Sequence, residues 1–297
     1  GESFKNFKDK HDLSNNLHND LGSQIIFENN LEILKEKIKD CNVRETKQTA
    51  GIELPGRRFV AQLVEMDSKQ KLLYKKMQED LSADVFKDGK LISDNVEAIL
   101  KRLMRLVQIS SNPALVDENY LDTPSKLKAS EKIVTDAINN DSKVIIWTNF
   151  IQNVERIRKY FTNYGALGIH GDIGVEDRNI SIKQFRTDPN IKILVATPGV
   201  AREGLTLVEA NHAIFYDRSF SLENYLQAQD RIYRISQEKT CYIYKLLTEN
   251  SIDYWVDALL EAKEIAARFG QGDISESSYQ ESMRFDFVEI LNEILNN

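Results

Sequence analysis

Cysteine is almost missing: Cys41 and Cys241 are the only two in 297 residues. They stand far apart and no second cluster of metal ligands accompanies them. That argues against a disulfide framework or a zinc site and leaves both as small buried hydrophobes, with no metal site expected. No apolar run reaches bilayer-spanning length, and no signal-peptide pattern opens the chain. The expectation is an intracellular protein without a membrane partner, cytoplasmic in a prokaryote and nuclear in a eukaryote. A phosphate loop is also lacking, since Gly89-Lys90 has no upstream glycine and runs into Leu91. Asp117-Glu118 has no apolar strand before it, so it reads as a polar loop after Asn112-Pro113 and not as a magnesium-holding pair. A self-sufficient nucleotide hydrolase needs both features.

The chain is long enough for one compact lobe plus an appended helical part. Its formal net charge of -7 is mostly local. Residues 271–297 hold Asp273, Glu276, Glu281, Asp286, Glu289 and Glu293 against Arg284 alone, a net of -5 that leaves -2 for everything before. Basic clusters remain at Lys69, Lys71, Lys75 and Lys76, at Lys101, Arg102 and Arg105, and at Arg156, Arg158 and Lys159. Each reads singly as a solvated helix face. Folded together they make a patch able to meet phosphates, because local field governs contact more than net charge.

Organisation changes near residue 125. Before it, Leu31, Leu34, Ile38 and Cys41 recur at helical spacing, as do Val96, Ile99, Leu100, Leu103, Leu106 and Val107. Between these runs, alternating Phe59, Ala61 and Leu63 predict one short extended piece, followed by a helix capped by Asp67 or Ser68. Pro124-Ser125 marks a linker or a helix start. After it, apolar runs at 144–147, 167–169, 191–195, 213–216 and 242–247 alternate with amphipathic segments. This is the pattern of βαβ units around a parallel sheet with helices on both faces, an α/β fold. Ligands of such sheets bind beyond the carboxyl ends of the strands, where Thr148, Gly171, Thr197 and Asp217 fall. The expected division is 1–125 helical, 126–270 the α/β lobe, and 271–297 an acidic tail with a Ser-rich joint near 273–282 and a last helix from Phe285 to Leu295.

The stretch QAQDRIYRISQ at 227–237 sets Arg231 and Arg234 three residues apart, on or just past one short predicted helix, where both guanidiniums would leave the same face. Upstream lie KVIIWTNF at 143–150, ALGIHGDIGVEDR at 166–178, IKILVATPGVAREGLTL at 191–207 and HAIFYDRSFS at 212–221. This ordered series resembles the second motor lobe of the Swi/Snf-type ATPases, a branch of the superfamily-two helicases. The closing QAxDRxxRIGQ motif of that branch is matched except for Ser236. GESFKNFKDKH at 1–11, LPGRRFVAQLVEMDSKQKLLY at 54–74 and LMRLVQISSNPAL at 103–115 resemble stretches that precede the lobe.

The resemblance implies a RecA-like sheet supplying half of a composite ATP site in a DNA-dependent ATPase, this chain alone being inactive. The first RecA-like lobe would hold most of the ATP and Mg, and DNA, duplex and without sequence preference, would be the partner. Arg234, supported by Arg231, would act as an arginine finger. Gln227 and Asp230 would orient the arginines or touch the nucleotide, and Gly204 would let backbone approach the cleft. Thr148, Asn149, Thr197 and the His170-Gly171 turn would hold the phosphodiester backbone, which positions a strand without reading it.

The chain departs from the family pattern at three places. Val43-Arg44-Glu45-Thr46-Lys47 carries one arginine where two adjacent ones are usual, Ala201-Arg202-Glu203-Gly204 replaces Ala-Gly-Gly-x-Gly, and Arg218-Ser219-Phe220-Ser221 replaces Trp-Asn-Pro. Two other classes compete: the lobe of an RNA helicase, against which Gln227 and Gln237 argue, and a binding module without enzymatic activity, holding nucleic acid or a protein.

Overall fold

The computed structural model describes residues 36, 51, 53–87, 90–91, 96–203 and 205–282. The expected helix around Leu31 to Cys41, the departure at Val43 to Lys47, Gly204 and the expected helix from Phe285 to Leu295 lie outside these, save the single residue Glu36. Among the described residues, 53–74 and 107–254 make one compact unit, and 75–87, 90–91, 96–106 and 255–282 belong to a second.

In chain order the elements are β1 (Arg57–Val64), α1 (Ser68–Val85), β2 (Phe86–Lys87), β3 (Lys90–Leu91), α2 (Val96–Ser111), α3 (Ser125–Asn139) and β4 (Lys143–Trp147). There follow α4 (Ile151–Tyr160), β5 (Ala166–Ile169), α5 (Val175–Thr187), β6 (Ile193–Ala196), β7 (Ala210–Phe215), α6 (Leu222–Gln229), β8 (Cys241–Thr248), α7 (Ile252–Gly270) and α8 (Glu276–Ser282). None of these helices is long and apolar enough to cross a membrane.

The first unit is built on a six-stranded sheet in the order β1-β8-β7-β4-β6-β5, with every neighbouring pair parallel. This is the expected α/β, RecA-like arrangement. Its central strands are near-continuous apolar runs, as a parallel sheet covered on both faces requires. Val144, Ile145, Ile146 and Trp147 of β4 and all four residues of β6 are fully buried. Ile133, Val134 and Ala137 of α3 and Val154 and Ile157 of α4 pack with Val144, Ile146, Ile193, Val195 and Ile214 into one core.

The extended piece expected around Phe59 joins this sheet as its outermost strand. The alternating set that signals it lies on the open side, with Phe59 and Leu63 about half exposed, while Val64 is buried. Asp67 caps α1: its Oδ1 accepts from the N–H groups of Lys69 and Gln70. Ser125 begins α3, and its hydroxyl accepts from the Asp67 N–H. Gly165 turns the chain into β5 at φ 64°, where a Cβ would stand 2.1 Å from the Asn190 carbonyl oxygen, so only glycine fits.

A second buried cluster fixes the ends of α2 and β8. Lys126 Nζ lies 2.6 Å from Asp253 Oδ2, with both side chains buried. The same carboxylate accepts from Ser110 Oγ and from the Thr248 N–H. Within the second unit, the Ser-rich stretch read as a joint instead forms α8. Tyr279 stacks on Phe269 with ring centroids 4.6 Å apart and is buried, so one aromatic anchor outweighs the polar composition around it.

Candidate functional site

The sheet order places four strand ends side by side, so Asp217, Thr148, Thr197 and His170 follow β7, β4, β6 and β5 along one carboxyl edge. Backbone pairing carries on past the strands: Tyr216 N–H donates to Trp147 O, Thr148 N–H to Ala196 O, and Thr197 N–H to Ile169 O. Neighbouring strands therefore hold these residues level.

Asp217 organises one end of the row. It is 2 % exposed, and five neutral donors converge on its carboxylate. Oδ1 accepts from the Asn149 N–H at 2.7 Å and from Asn149 Nδ2 at 2.8 Å. Oδ2 accepts from Thr148 Oγ1 at 2.5 Å, Ser111 Oγ at 2.9 Å and Asn153 Nδ2 at 3.2 Å. Asn112 extends the network by donating to Asn153 Oδ1 at 2.8 Å. The Thr148 hydroxyl is thus spent inside the protein on a fully buried side chain, while the half-buried Asn149 gives its main-chain N–H and one of its two Nδ2 hydrogens to the same carboxylate. The Thr148 hydroxyl therefore points into the protein, and Asn149 keeps one side-chain hydrogen beyond this network.

Thr197 and His170 remain partly open and Gly171 is exposed. His170 Nε2 lies 4.0 Å from Glu155 Oε1, and its Nδ1 is buried without a hydrogen-bond partner. A Cβ at Gly171 would meet nothing within 4 Å, so steric need does not explain that glycine. On the exposed flank, Arg156, Arg158 and Lys159 of α4 line a groove of about 510 Å³ with Asn112, Leu115 and Gln152. Arg156 donates to the Asp122 carbonyl and Arg158 pairs with Glu155 at 2.7 Å.

The arginine motif lies just past its short helix. α6 stops at Gln229, and residues 230–236 run as turns. The guanidiniums themselves serve the helix end: Arg231 Nε donates to Gln227 O and Arg234 Nε to Asp230 O, each four residues back. Carbonyls at a helix C-terminus lack main-chain partners, and a cation there also meets the negative end of the dipole. The outer nitrogens reach one short segment, Arg231 Nη1 bonding Leu205 O at 3.0 Å and Arg234 Nη1 bonding Thr206 Oγ1 at 2.6 Å. Both forks therefore converge on the two residues that follow position 204. Arg231 is buried and Arg234 is half-buried. Burial, and then the neighbouring Arg234 charge, lower the Arg231 pKa from its ordinary value.

Gln227 donates to Glu223 Oε1, and its own Oε1 is buried without a hydrogen-bond partner. Asp230, at the C-cap of α6, is half-buried. Gln237 has a job that the motif alone did not reveal. Its Nε2 donates to Val208 O, Ala210 O and Ile232 O, while its Oε1 accepts from the N–H groups of Glu238 and Lys239. That one side chain pins the end of the arginine segment to the start of β7.

A parallel sheet with chemistry-bearing residues along its carboxyl edge, and paired arginines tied beside it, defines the class. Residues 125–236 match the family described as helicase conserved C-terminal domain. Proteins similar to the chain beyond that match are described as ATP-dependent helicases and as a chromatin-remodeling ATPase. It is 28 % identical over 241 residues to the ATP-dependent helicase fft3 of Schizosaccharomyces pombe, covering 75 % of this chain and 25 % of that protein. It is 26 % identical over 226 residues to the ISWI chromatin-remodeling complex ATPase ISW1 of Saccharomyces cerevisiae, covering 71 % and 20 %. The chain thus spans about a quarter or less of the length of these relatives.

Among solved structures, the C-terminal part of the Fun30 ATPase domain superposes with TM-score 0.61 at 20 % identity, covering 82 % of this chain and 97 % of that one. The Sulfolobus solfataricus SWI2/SNF2 ATPase core in complex with dsDNA gives TM-score 0.62 at 23 % identity, covering 98 % and 60 %. These establish a shared fold.

Proposed function

We propose that this chain is the arginine-supplying half of an ATP-dependent DNA translocase, completed by a first RecA-like lobe of the same polypeptide. The convergence of Arg231 and Arg234 on Leu205-Thr206 carries the reading. Arg234, the less buried of the two, is the finger that meets charge developing on the transferred phosphoryl group. Arg231, tied to two carbonyls, supports it. Gln227, in the last turn of α6, and Asp230, at its C-cap, would orient the arginines or touch the nucleotide.

The donor set suits phosphate oxygens, because a guanidinium presents a planar fork to them. It does not suit a hard divalent cation: no group of three or more acidic, His or Cys residues able to hold a metal occurs among the described residues. Magnesium would be held mainly by the first lobe and would supply charge neutralisation at the phosphates.

DNA backbone would run along the carboxyl edge, contacted by Thr197, the His170-Gly171 turn and the half-buried Asn149, with the buried Thr148 sharing Asp217 with Asn149. The lysine and arginines of the α4 groove would add a field that follows duplex phosphates without reading sequence.

The test is ATP turnover by this chain alone and joined to its first lobe, each with and without duplex DNA. The reading expects none above buffer from the chain alone and DNA-stimulated turnover from the joined protein. Robust DNA-stimulated hydrolysis by the isolated chain would contradict it.

A further inference from the structure

We propose that Asp217 is a positioning residue that sets the Thr148-Asn149 turn against the end of α2, and that the tightness of this clasp governs how strongly DNA drives turnover. The proposal rests on the preceding assignment of the carboxyl edge to DNA. It adds a residue that touches neither nucleotide nor DNA and acts through others.

The arrangement is too specific for a generic buried acid. Removing a carboxylate from water is costly, and an apolar residue would fill the same space without that cost. Here the charge is met instead by five neutral donors drawn from three separate places: Ser111 at the last residue of α2, Thr148 and Asn149 just after β4, and Asn153 in the first turn of α4. One oxygen is given wholly to Asn149, through both its main-chain and side-chain donors. The other gathers the two hydroxyls and Asn153. The turn beyond β4 therefore cannot shift along the edge without breaking charge-assisted hydrogen bonds, which are roughly twice as strong as neutral ones.

Ser111 also has a neighbour with a parallel task. Ser110 donates to the buried Asp253 after β8 while Ser111 donates to Asp217 after β7. Two adjacent hydroxyls thus tie the end of α2 to the carboxyl ends of two adjacent strands. Ser111 at the end of α2 and the Thr148-Asn149 turn are therefore held by one carboxylate.

The geometry also specifies how the clasp fails and how it is repaired. In Asp217→Asn, the new NH₂ cannot sit at the Oδ1 position, where it would face the fixed main-chain N–H of Asn149 at 2.7 Å. At the Oδ2 position the Thr148 and Ser111 hydroxyls can rotate to accept, but Asn153 Nδ2 remains opposed, donor to donor, across 3.2 Å. Asn153→Asp in the same protein supplies the missing acceptor and still accepts from Asn112 Nδ2 through Oδ1. The pair of substitutions returns one carboxylate to the same donor cluster.

The experiment uses the two-lobe enzyme and measures ATP turnover while titrating duplex DNA and, separately, ATP. In Asp217→Asn the DNA concentration for half-maximal turnover should rise about tenfold or more, the scale of one mispaired buried hydrogen bond. The KM for ATP should stay within about twofold of wild type. The double variant Asn153→Asp with Asp217→Asn should recover most of the loss. Hydrogen exchange at the Asn149 N–H should quicken in the single variant and slow again in the double. Should Asp217→Asn fail to fold, Ser111→Ala removes one donor to Asp217 and one acceptor of Asn153 Nδ2 while leaving the carboxylate in place, and a smaller rise in the DNA requirement is then expected.

Unchanged DNA dependence in Asp217→Asn or, if that variant does not fold, in Ser111→Ala overturns the proposal, as does equal worsening of both KM values or a double variant no better than the single. Wild-type turnover indifferent to DNA would instead strike the DNA reading itself, and the exchange rates at Asn149 would still decide whether the clasp exists.

Discussion

Arg234 and Thr206 are joined by a hydrogen bond of 2.6 Å from Nη1 to Oγ1, across 28 residues of sequence. This bond fixes the direction of the guanidinium that the proposed function places in the nucleotide site. Thr206→Val keeps the volume and removes the acceptor. A hydrogen bond to a charged group contributes about 1.5–3 kcal/mol, so turnover in the two-lobe enzyme should fall about tenfold or more. Thr206→Ser should stay near wild type. Steady-state ATPase assays on both variants check this, and equal loss in both would show that the methyl group matters instead of the hydroxyl.

The buried pair Lys126–Asp253 calls for a stability measurement. Removing one partner strands the other charge without compensation, which costs about 3–5 kcal/mol. Lys126→Met should therefore lower the urea midpoint sharply, while a salt titration should move the wild-type midpoint little, because water and ions do not reach the pair. A mild loss in Lys126→Met, below about 1 kcal/mol, would mean that Asp253 is held well enough by Ser110 and Thr248 alone.

His212 gives a pH dependence with a definite sign. It stacks on Tyr242 with ring centroids 4.8 Å apart, and burial, reinforced by the Lys239 charge, pushes its pKa down to about 4. The unfolded chain then binds a proton at a higher pH than the folded one does. Stability should be fully present above the ordinary histidine range and should decline as pH falls from about 6.5 to about 4, by an amount on the order of 2–3 kcal/mol. His212→Phe keeps a stacking ring and removes the proton site, so its urea midpoint should fall less steeply over that window. Parallel slopes in the two proteins would mean that other groups carry the acid sensitivity.

The sheet was largely legible because β4, β6 and β7 are apolar runs, buried whichever face is viewed. β1 was harder to read in depth: Phe59, Ala61 and Leu63 announce extended backbone correctly, yet on an edge strand they occupy the open side while Val64 enters the core. The arginine motif was expected on or just past one short helix, and the structure puts it just past α6, with Arg231 and Arg234 bonding back to carbonyls at the helix end. The Ser-rich stretch before Ser282, read as a joint, forms α8, where Ser275 accepts from the Ser278 N–H and Tyr279 packs with Ala266 and Phe269.

The Asp217 clasp was out of reach for a different reason. Its donors lie 64 to 106 positions away in sequence, and small polar residues at element ends resemble ordinary caps until the fold pairs them. The one available sign was that Ser111, Thr148, Asn149 and Asp217 all sit at the ends of expected elements. Gln237 is comparable: the motif names it, but only the structure shows it bonding five backbone groups.

The most direct test of the assignment is ATP turnover by the two-lobe enzyme carrying Arg234→Ala, with DNA binding and thermal melting measured on the same preparation. Turnover should fall by roughly a thousandfold or more, the scale of a lost arginine finger, while DNA affinity and melting stay close to wild type. Arg234→Lys should remain badly impaired, since an ammonium is a single point charge without the planar fork. Near-normal turnover in the alanine variant, with the protein folded and DNA bound, would contradict the account and return Arg234 to the role of a helix-end brace.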